Sequence, residues 1–430
     1  MCAHVGAALL LAASASRAQT SIFESGPYVA DLSSASVMIR AETENPETLT
    51  LTVEPGHETA TDAFAIAGVH SLSVDGLDSK TTYHYSLASS RGGKEDGSFT
   101  TAPSDGDVSD VRFVLYGDER GLPATHELVV RRVYDEPADF LVNTGDVVAD
   151  GRVAALWEGF FGIEDRVLRD RCMFTAIGNH ELVQENGASF LKYFGTPEQQ
   201  RDHVFYRTFR WSFIRFFVLN GEGSFLGDDR TWLERELKKA DVEPGVAWRI
   251  VLVHDGPFSS GLHGDNEKMQ GADLPKLLRE HHVDFVLSGH DHIYERGASD
   301  GLRYVVSGGG GAPLYPIRHL RATARKVESV YHYVTFVFSP DKGKLVARRI
   351  DGSVIEEVGF GKRGMWSDDG PVADLPRGAG GSPPAQAPPA SNEAPPAPHE
   401  SHNTWLVVAV AVGASAAYWL SRRRKKAAKS

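Results

Sequence analysis

Cysteine is nearly absent from this chain: its 430 residues contain two, Cys2 and Cys172. Cys2 falls in an apolar N-terminal stretch that reads as a leader, so a chain without that leader keeps one thiol and forms no internal disulfide. Positive charge is also scarce, with 45 Lys and Arg against 57 Asp and Glu for a net charge of −12. The last nine residues hold six cations and no acid, leaving −18 on everything before them. That balance argues against a nucleic-acid-binding surface. Internal repeats are missing, and the glycine run Gly308 to Gly311 lacks the Gly-Lys-Ser/Thr ending of a nucleotide loop. What remains is a chain with 41% hydrophobic residues, long enough for two folded domains.

The termini carry the compartment signals. MCAHVGAALLLAASASRAQT has an apolar run from Val5 to Ala13, then Ser16-Arg17-Ala18, a small-x-small cleavage pattern. Residues 1–18 therefore read as a secretory signal peptide, although no Lys or Arg precedes Arg17. Residues 366–402 form a Pro/Ala/Gly-rich spacer. Residues 403–421 lack charge, hold Trp405 and Trp419 near their ends, and run into a basic tail at 422–430. This pattern predicts a single transmembrane helix with a cytoplasmic C-terminus. The body between them is expected outside the cytoplasm, periplasmic or at the cell surface, anchored to the membrane by that helix.

Residues 22–103 alternate apolar and polar positions in short runs broken by Gly, Pro, Asn and Asp, as in SVMIRAET and TTYHYSLAS. That is the pattern of a small antiparallel sandwich, here resembling a fibronectin type III domain. From residue 110 to 352 the pattern becomes α/β. Buried runs end at Tyr116, Thr144, Ile177, Val253 and Ser288, and amphipathic segments such as ATHELVVRRVYDE and TWLERELKKA separate some of them. Two packed sheets with helices outside are expected.

Each of those five runs is followed by residues of metal-binding type: Asp118, Asp146, Asn179-His180-Glu181, His254, and the pair His290 and His292. Side chains just past the carboxyl ends of strands converge on one crevice. Three imidazoles, two carboxylates and an amide meeting there would be costly without cations between them. A lone Gly-Asp is usually a turn and a lone core histidine is usually hydrogen-bonded; five such motifs in strand-end context are a different matter.

The series GDER, GDVV, GNHE, VLVH and GHDHIYER resembles the calcineurin-like metallophosphoesterases, in particular their purple acid phosphatase-like branch, over about three quarters of the chain. The resemblance implies an αββα sandwich and a metal-dependent phosphoric ester hydrolase with two metal ions, Fe, Mn or Zn. It assigns Asp118 and His292 to the first ion, Asn179, His254 and His290 to the second, and Asp146 as a bridge. A water activated between the ions would attack phosphorus, with His180 at the leaving oxygen. Asp291 reads as a spacer.

Two departures stand out. The tyrosine that colours purple acid phosphatases would fall at Ala149, and the histidine other members place two residues after the first aspartate is Arg120. The first ion is then one protein ligand short unless His126 or a water supplies it; a helix-face position near substrate is the other reading of His126. Arg120 suits a phosphate clamp. The expected partner is a small phosphate ester or a phosphorylated surface substrate, with no nucleic acid. The rival reading is a catalytically lapsed ligand-binding module that keeps its metals for folding.

Overall fold

The computed structural model describes residues 22–369 except 57, 63, 183–185, 363 and 365. The expected leader (1–18), membrane span (403–421), basic tail (422–430) and spacer beyond residue 369 lie outside the described residues. Among the described residues no helix is long and apolar enough to cross a membrane.

Seven strands come first: β1 (Ser25–Ala30), β2 (Ser36–Glu47), β3 (Leu49–Glu54), β4 (Glu58–Thr61), β5 (Ile66–Asp75), β6 (Thr82–Ser89) and β7 (Lys94–Thr100). They form two antiparallel sheets, β1-β2-β5 and β4-β3-β6-β7. Strand side chains alternate between faces. Val37, Ile39 and Ala41 of β2 accordingly meet Leu49, Leu51 and Val53 of β3 and Tyr83, Tyr85 and Leu87 of β6 in a common core. The result is an all-β sandwich, as the alternation predicts.

The second unit contains β8 (Val111–Tyr116), α1 (Pro123–Asp135), β9 (Phe140–Asn143), α2 (Ala154–Leu168), β10 (Met173–Thr175), α3 (Asn179–Leu182), α4 (Ala188–Phe194), α5 (Pro197–Asp202), β11 (Arg207–Trp211), β12 (Ile214–Val218) and α6 (Asp228–Val242). It continues through β13 (Trp248–Leu252), α7 (Glu267–Gly271), α8 (Leu274–Glu280), β14 (Phe285–Ser288), β15 (Tyr294–Ser299), β16 (Leu302–Ser307), β17 (Ala324–Glu328), β18 (His332–Phe338), β19 (Lys342–Arg349) and β20 (Val354–Gly361). One mixed sheet has the order β10-β9-β8-β18-β19-β20, the other β11-β12-β13-β14-β16-β15-β17.

Burial follows the two faces of each strand. Phe113 and Leu115 of β8 point into the core between the sheets with Phe216, Leu252 and Phe285, while Val114 and Tyr116 point out against α1 and α2 through Val129, Val133, Trp157 and Phe160. On the far side, Val251 and Val286 pack on Leu233, Leu237, Leu274 and Leu278 of α6 and α8. The layers are thus helix, sheet, sheet, helix.

The sandwich is docked on this unit by buried polar contacts. Arg40 donates from Nη1 to the Tyr193 carbonyl at 2.7 Å and from Nη2 to the Gly195 carbonyl at 2.6 Å. Tyr28 stacks on Phe161 of α2 and donates its hydroxyl to the Tyr193 carbonyl.

The boundary at 352 is corrected by the structure. β20 hydrogen-bonds along β19, Phe360 bridges to Trp366, and buried Arg296 pairs with both Glu356 and Asp368. Residues 366–369 consequently belong to the folded unit rather than to the spacer. The adjacent acids Glu356 and Glu357 hide this edge in sequence: β20 reads VIEEVGFG with only Val358 and Phe360 buried.

Candidate metal centre

All six candidate ligands lie just past strand ends. Asp118, Asp146 and Asn179 follow β8, β9 and β10 of one sheet; His254, His290 and His292 follow β13 and β14 of the other. β8, β9 and β10 are mutually parallel, as are β13 and β14, so within each sheet these strands deliver their carboxyl ends to the same edge. One oxygen or nitrogen from each of Asp118, Asp146 and His254 lies within 4.8 Å of the other two. Asp118, Asp146 and His290 all have left-handed backbone, with φ of 59°, 57° and 66°.

Hydrogen bonds fix which atoms face inward. His254 Nδ1 donates to the Thr144 carbonyl at 2.9 Å, so Nε2 is the nitrogen that faces the cluster. That Nε2 is 3.2 Å from Asn179 Oδ1, 3.2 Å from His290 Nδ1 and 3.4 Å from Asp146 Oδ2. With the Asn179 oxygen turned inward, two oxygens and two ring nitrogens converge there beside a carboxylate, an arrangement that a cation, whether a proton on His254 or a metal ion, satisfies. Burial opposes a charge on His254, yet Asp146 and Asp118 outweigh it and lift its pKa to about 10. The same field would hold a metal ion.

On the other side, His292 Nδ1 donates to the Pro313 carbonyl at 2.6 Å, so its Nε2 also faces inward, 3.4 Å from Asp118 Oδ1. Asp118 Oδ1 is buried without a hydrogen-bond partner. An orphaned carboxylate oxygen beside an imidazole lone pair fits a metal position. The donor set, mixed imidazole nitrogen, carboxylate and amide oxygen, suits transition metals such as zinc, iron or manganese.

Glu181 braces both ligand loops. Its carboxylate accepts from the amides of Asp146 (3.0 Å), Val148 (3.1 Å) and Gly178 (2.8 Å), and burial raises its pKa to about 7. His180 sits at the rim, with Nδ1 donating to the Ala149 carbonyl at 2.7 Å and Nε2 3.9 Å from Asp146 Oδ2. Burial lowers its pKa against the pull of Asp146. The Ala149 carbonyl thus orients this histidine.

Three expectations change. His126 does not complete the site: its Nε2 pairs with Glu164 at 2.8 Å and its ring stacks on Phe160, because α1 turns that face toward α2. Arg120 is not turned out to receive phosphate; its Nε donates to Asp146 Oδ2 at 2.9 Å, drawn by the acceptors behind it. Asp291 is more than a spacer. It accepts from Ser259 Oγ, from His263 N at 2.9 Å and from Gly264 N at 3.2 Å, pinning the loop after His254 across the site. That loop places the His263 ring 4.2 Å from His290. The glycine run packs close, as its lack of side chains suggests: Gly310 N donates to Gly117 O and Ala312 N to Asp118 O.

Sequence reasoning missed Tyr315. Its ring stacks on His292 at 3.9 Å and 14°, and its hydroxyl is 3.4 Å from Arg120 Nη2. The available signal was its place in the segment after β16, a strand that pairs with β14.

Residues 106–294 match the family model described as calcineurin-like phosphoesterase. An uncharacterized protein of Mycobacterium tuberculosis is 28% identical over 227 residues, covering 46% of this chain and 41% of that protein. Purple acid phosphatase 22 of Arabidopsis thaliana is 26% identical over 242 residues, 53% of each chain. The matched part of the chain thus spans about half the length of these relatives. In fold, the α/β unit and its sandwich resemble purple acid phosphatase PPD1 from yellow lupin (Lupinus luteus) seeds, with a TM-score of 0.68, 19% identity, and coverage of 78% of this chain and 74% of that one.

Proposed function

We propose that this chain is an exported, membrane-tethered phosphoesterase that uses two metal ions to hydrolyse phosphate mono- or diesters, its N-terminal sandwich being a fibronectin type III-like module. The observation that carries the reading is the convergence of Asn179 Oδ1, His290 Nδ1 and Asp146 Oδ2 on His254 Nε2, beside an Asp118 oxygen that has no hydrogen-bond partner. Asp118 and His292 would hold one ion, Asn179, His254 and His290 the other, with Asp146 between them. Bound there, the ions would supply Lewis acidity and lower the pKa of water for attack on phosphorus.

The chain's own groups do the rest. Thr144 and Pro313 carbonyls hold His254 and His292 in the tautomers that present Nε2. His180 offers Nε2 at the rim, where the negative charge of a bound phosphate adds to that of Asp146 and favours the imidazolium needed to protonate a leaving oxygen. His263 roofs the His290 side and bounds the space left for an ester group. Export through residues 1–18 and anchoring through residues 403–421 complete the proposal and rest on the sequence alone.

The test strips the protein of metal and reloads it with manganese, iron or zinc, then measures turnover of paired p-nitrophenyl phosphate monoester and diester. Activity should return with metal, vanish in Asp146→Asn, and fall by about 100-fold or more in His180→Ala with metal content intact. Full metal occupancy without turnover of either ester would favour the lapsed binding module instead.

A further inference from the structure

Arg120 stands among the acceptors assigned to one of the two ions. Its Nε donates to Asp146 Oδ2 at 2.9 Å, and its Nη2 lies 3.3 Å from His292 Nε2 and 3.4 Å from the Tyr315 hydroxyl. The direction of the His292 contact is fixed. A guanidinium only donates, and the Nδ1–H of His292 is committed to the Pro313 carbonyl, so Nε2 must accept. An imidazole nitrogen has one lone pair in the ring plane. It can serve Arg120 or an ion, and not both at once.

The surrounding residues hold the guanidinium in that place. Tyr315 stacks on the His292 ring at 3.9 Å, keeping the imidazole and Arg120 in register. The Arg120 amide also donates to the Asp146 carbonyl at 3.3 Å, and its side chain is only 16% exposed. Asp118 Oδ1, the remaining acceptor of this position, stays without a hydrogen-bond partner. Around His254 the arrangement differs: the atoms facing Nε2 come from Asn179, His290 and Asp146, and none of them belongs to a guanidinium or ammonium group.

We propose that Arg120 is an internal cation that competes with an ion for the Asp118–His292 position, so that the chain holds one ion firmly through Asp146, Asn179, His254 and His290 and a second only when Arg120 is displaced. The inference rests on the metal reading above. A guanidinium cannot be deprotonated at any working pH, so its charge leaves the position only by moving the side chain. An arriving ion must break the Nη2 contact to His292 and meet a fixed positive charge at short range.

Binding stoichiometry tests this without reference to turnover. Metal-free protein is dialysed against a graded series of buffered free Zn²⁺, repeated with Mn²⁺, and bound metal per chain is measured by mass spectrometry. The wild type should show two separated steps, the second requiring at least about tenfold more free metal. Arg120→Gln, which removes the charge, should bring the second step down by about tenfold or more, whereas Arg120→Lys, which retains it, should keep the steps apart. Tyr315→Phe, which frees one contact of the guanidinium, should move the second step in the same direction by less. A thermal melt of each variant establishes that it is folded, and the wild-type and Tyr315→Phe curves decide the matter should Arg120→Gln fail to fold. Two ions entering the wild type in a single step, or variant curves that superpose on the wild type, overturn the competition and leave the phosphoesterase reading standing. Binding of no ion by any form overturns both.

Discussion

Asp118, Asp146 and His290 present their side chains from left-handed backbone, a conformation that asparagine tolerates far better than alanine does. Alanine at these positions would mix backbone strain with ligand loss, so Asp→Asn is the informative replacement. A different residue contributes to the response to pH. His332 is fully buried, its Nδ1 donating to the Val330 carbonyl at 2.9 Å and its Nε2 3.1 Å from Ser307 Oγ. Burial pushes its pKa down to about 4 from an unfolded value near 6.5. Since the folded pKa is the lower one, its contribution is complete above pH 6.5 and is lost as pH falls toward 4. At about 1.4 kcal/mol per pH unit, the part lost between pH 7 and pH 4.5 amounts to roughly 2–3 kcal/mol. Urea unfolding at pH 7 and pH 4.5 should show His332→Gln losing less stability than the wild type by about that amount; equal losses would remove His332 as the cause. The strand-end positions of the six candidate ligands were legible in the sequence because each follows an apolar run. Tyr315 and Asp291 were not, since their roles arise from ring stacking and loop bonding between segments far apart in the chain.

At the scale of elements, the layer order was legible because continuous apolar runs mark β8 and β14 as strands covered on both faces and a helical stripe marks α1 and α6. The polar edge strand β20 was not, because an edge strand needs few buried residues and only pairing with β19 reveals it. The loop between β13 and α7 is likewise defined by a distant partner. Asp291, only 1% exposed, accepts from His263 and Gly264 amides, and the Cβ of any other residue at Gly261 would collide with its carboxylate. Glu295 adds bonds to Ser260 N at 2.6 Å and Oγ at 3.0 Å. Asp291→Ala should release this loop, visible as new protease cleavage within residues 255–266, and lower kcat/KM by about tenfold as His263 loses its place, equivalent to ~1.4 kcal/mol. An unchanged cleavage pattern would show that Glu295 alone suffices.

For the whole molecule, the C-terminal edge closes the structure. Arg296 is 1% exposed and stands over the Trp366 ring at 4.7 Å, paired with Glu356 and Asp368 at 2.7 Å each. A chain ending at residue 352 strands that charge in the interior, a loss of roughly 3–5 kcal/mol, and also removes Phe360 and Trp366 from the core. Residues 22–369 should therefore be recovered as a soluble, cooperatively melting protein, and residues 22–352 should aggregate; equal melting of the two would refute the assignment of β20 to the fold. The candidate metal centre likewise depends on the whole chain. Its ligands come from two sheets, and Asn179 and His254, 3.2 Å apart in space, are separated by 75 residues of sequence. A ribosome has released Asp118, Asp146 and Asn179 long before His254 emerges, so no partly made chain can capture its metal in full. A metal held by the full set would therefore be taken up only where folding finishes, from the metals dissolved there.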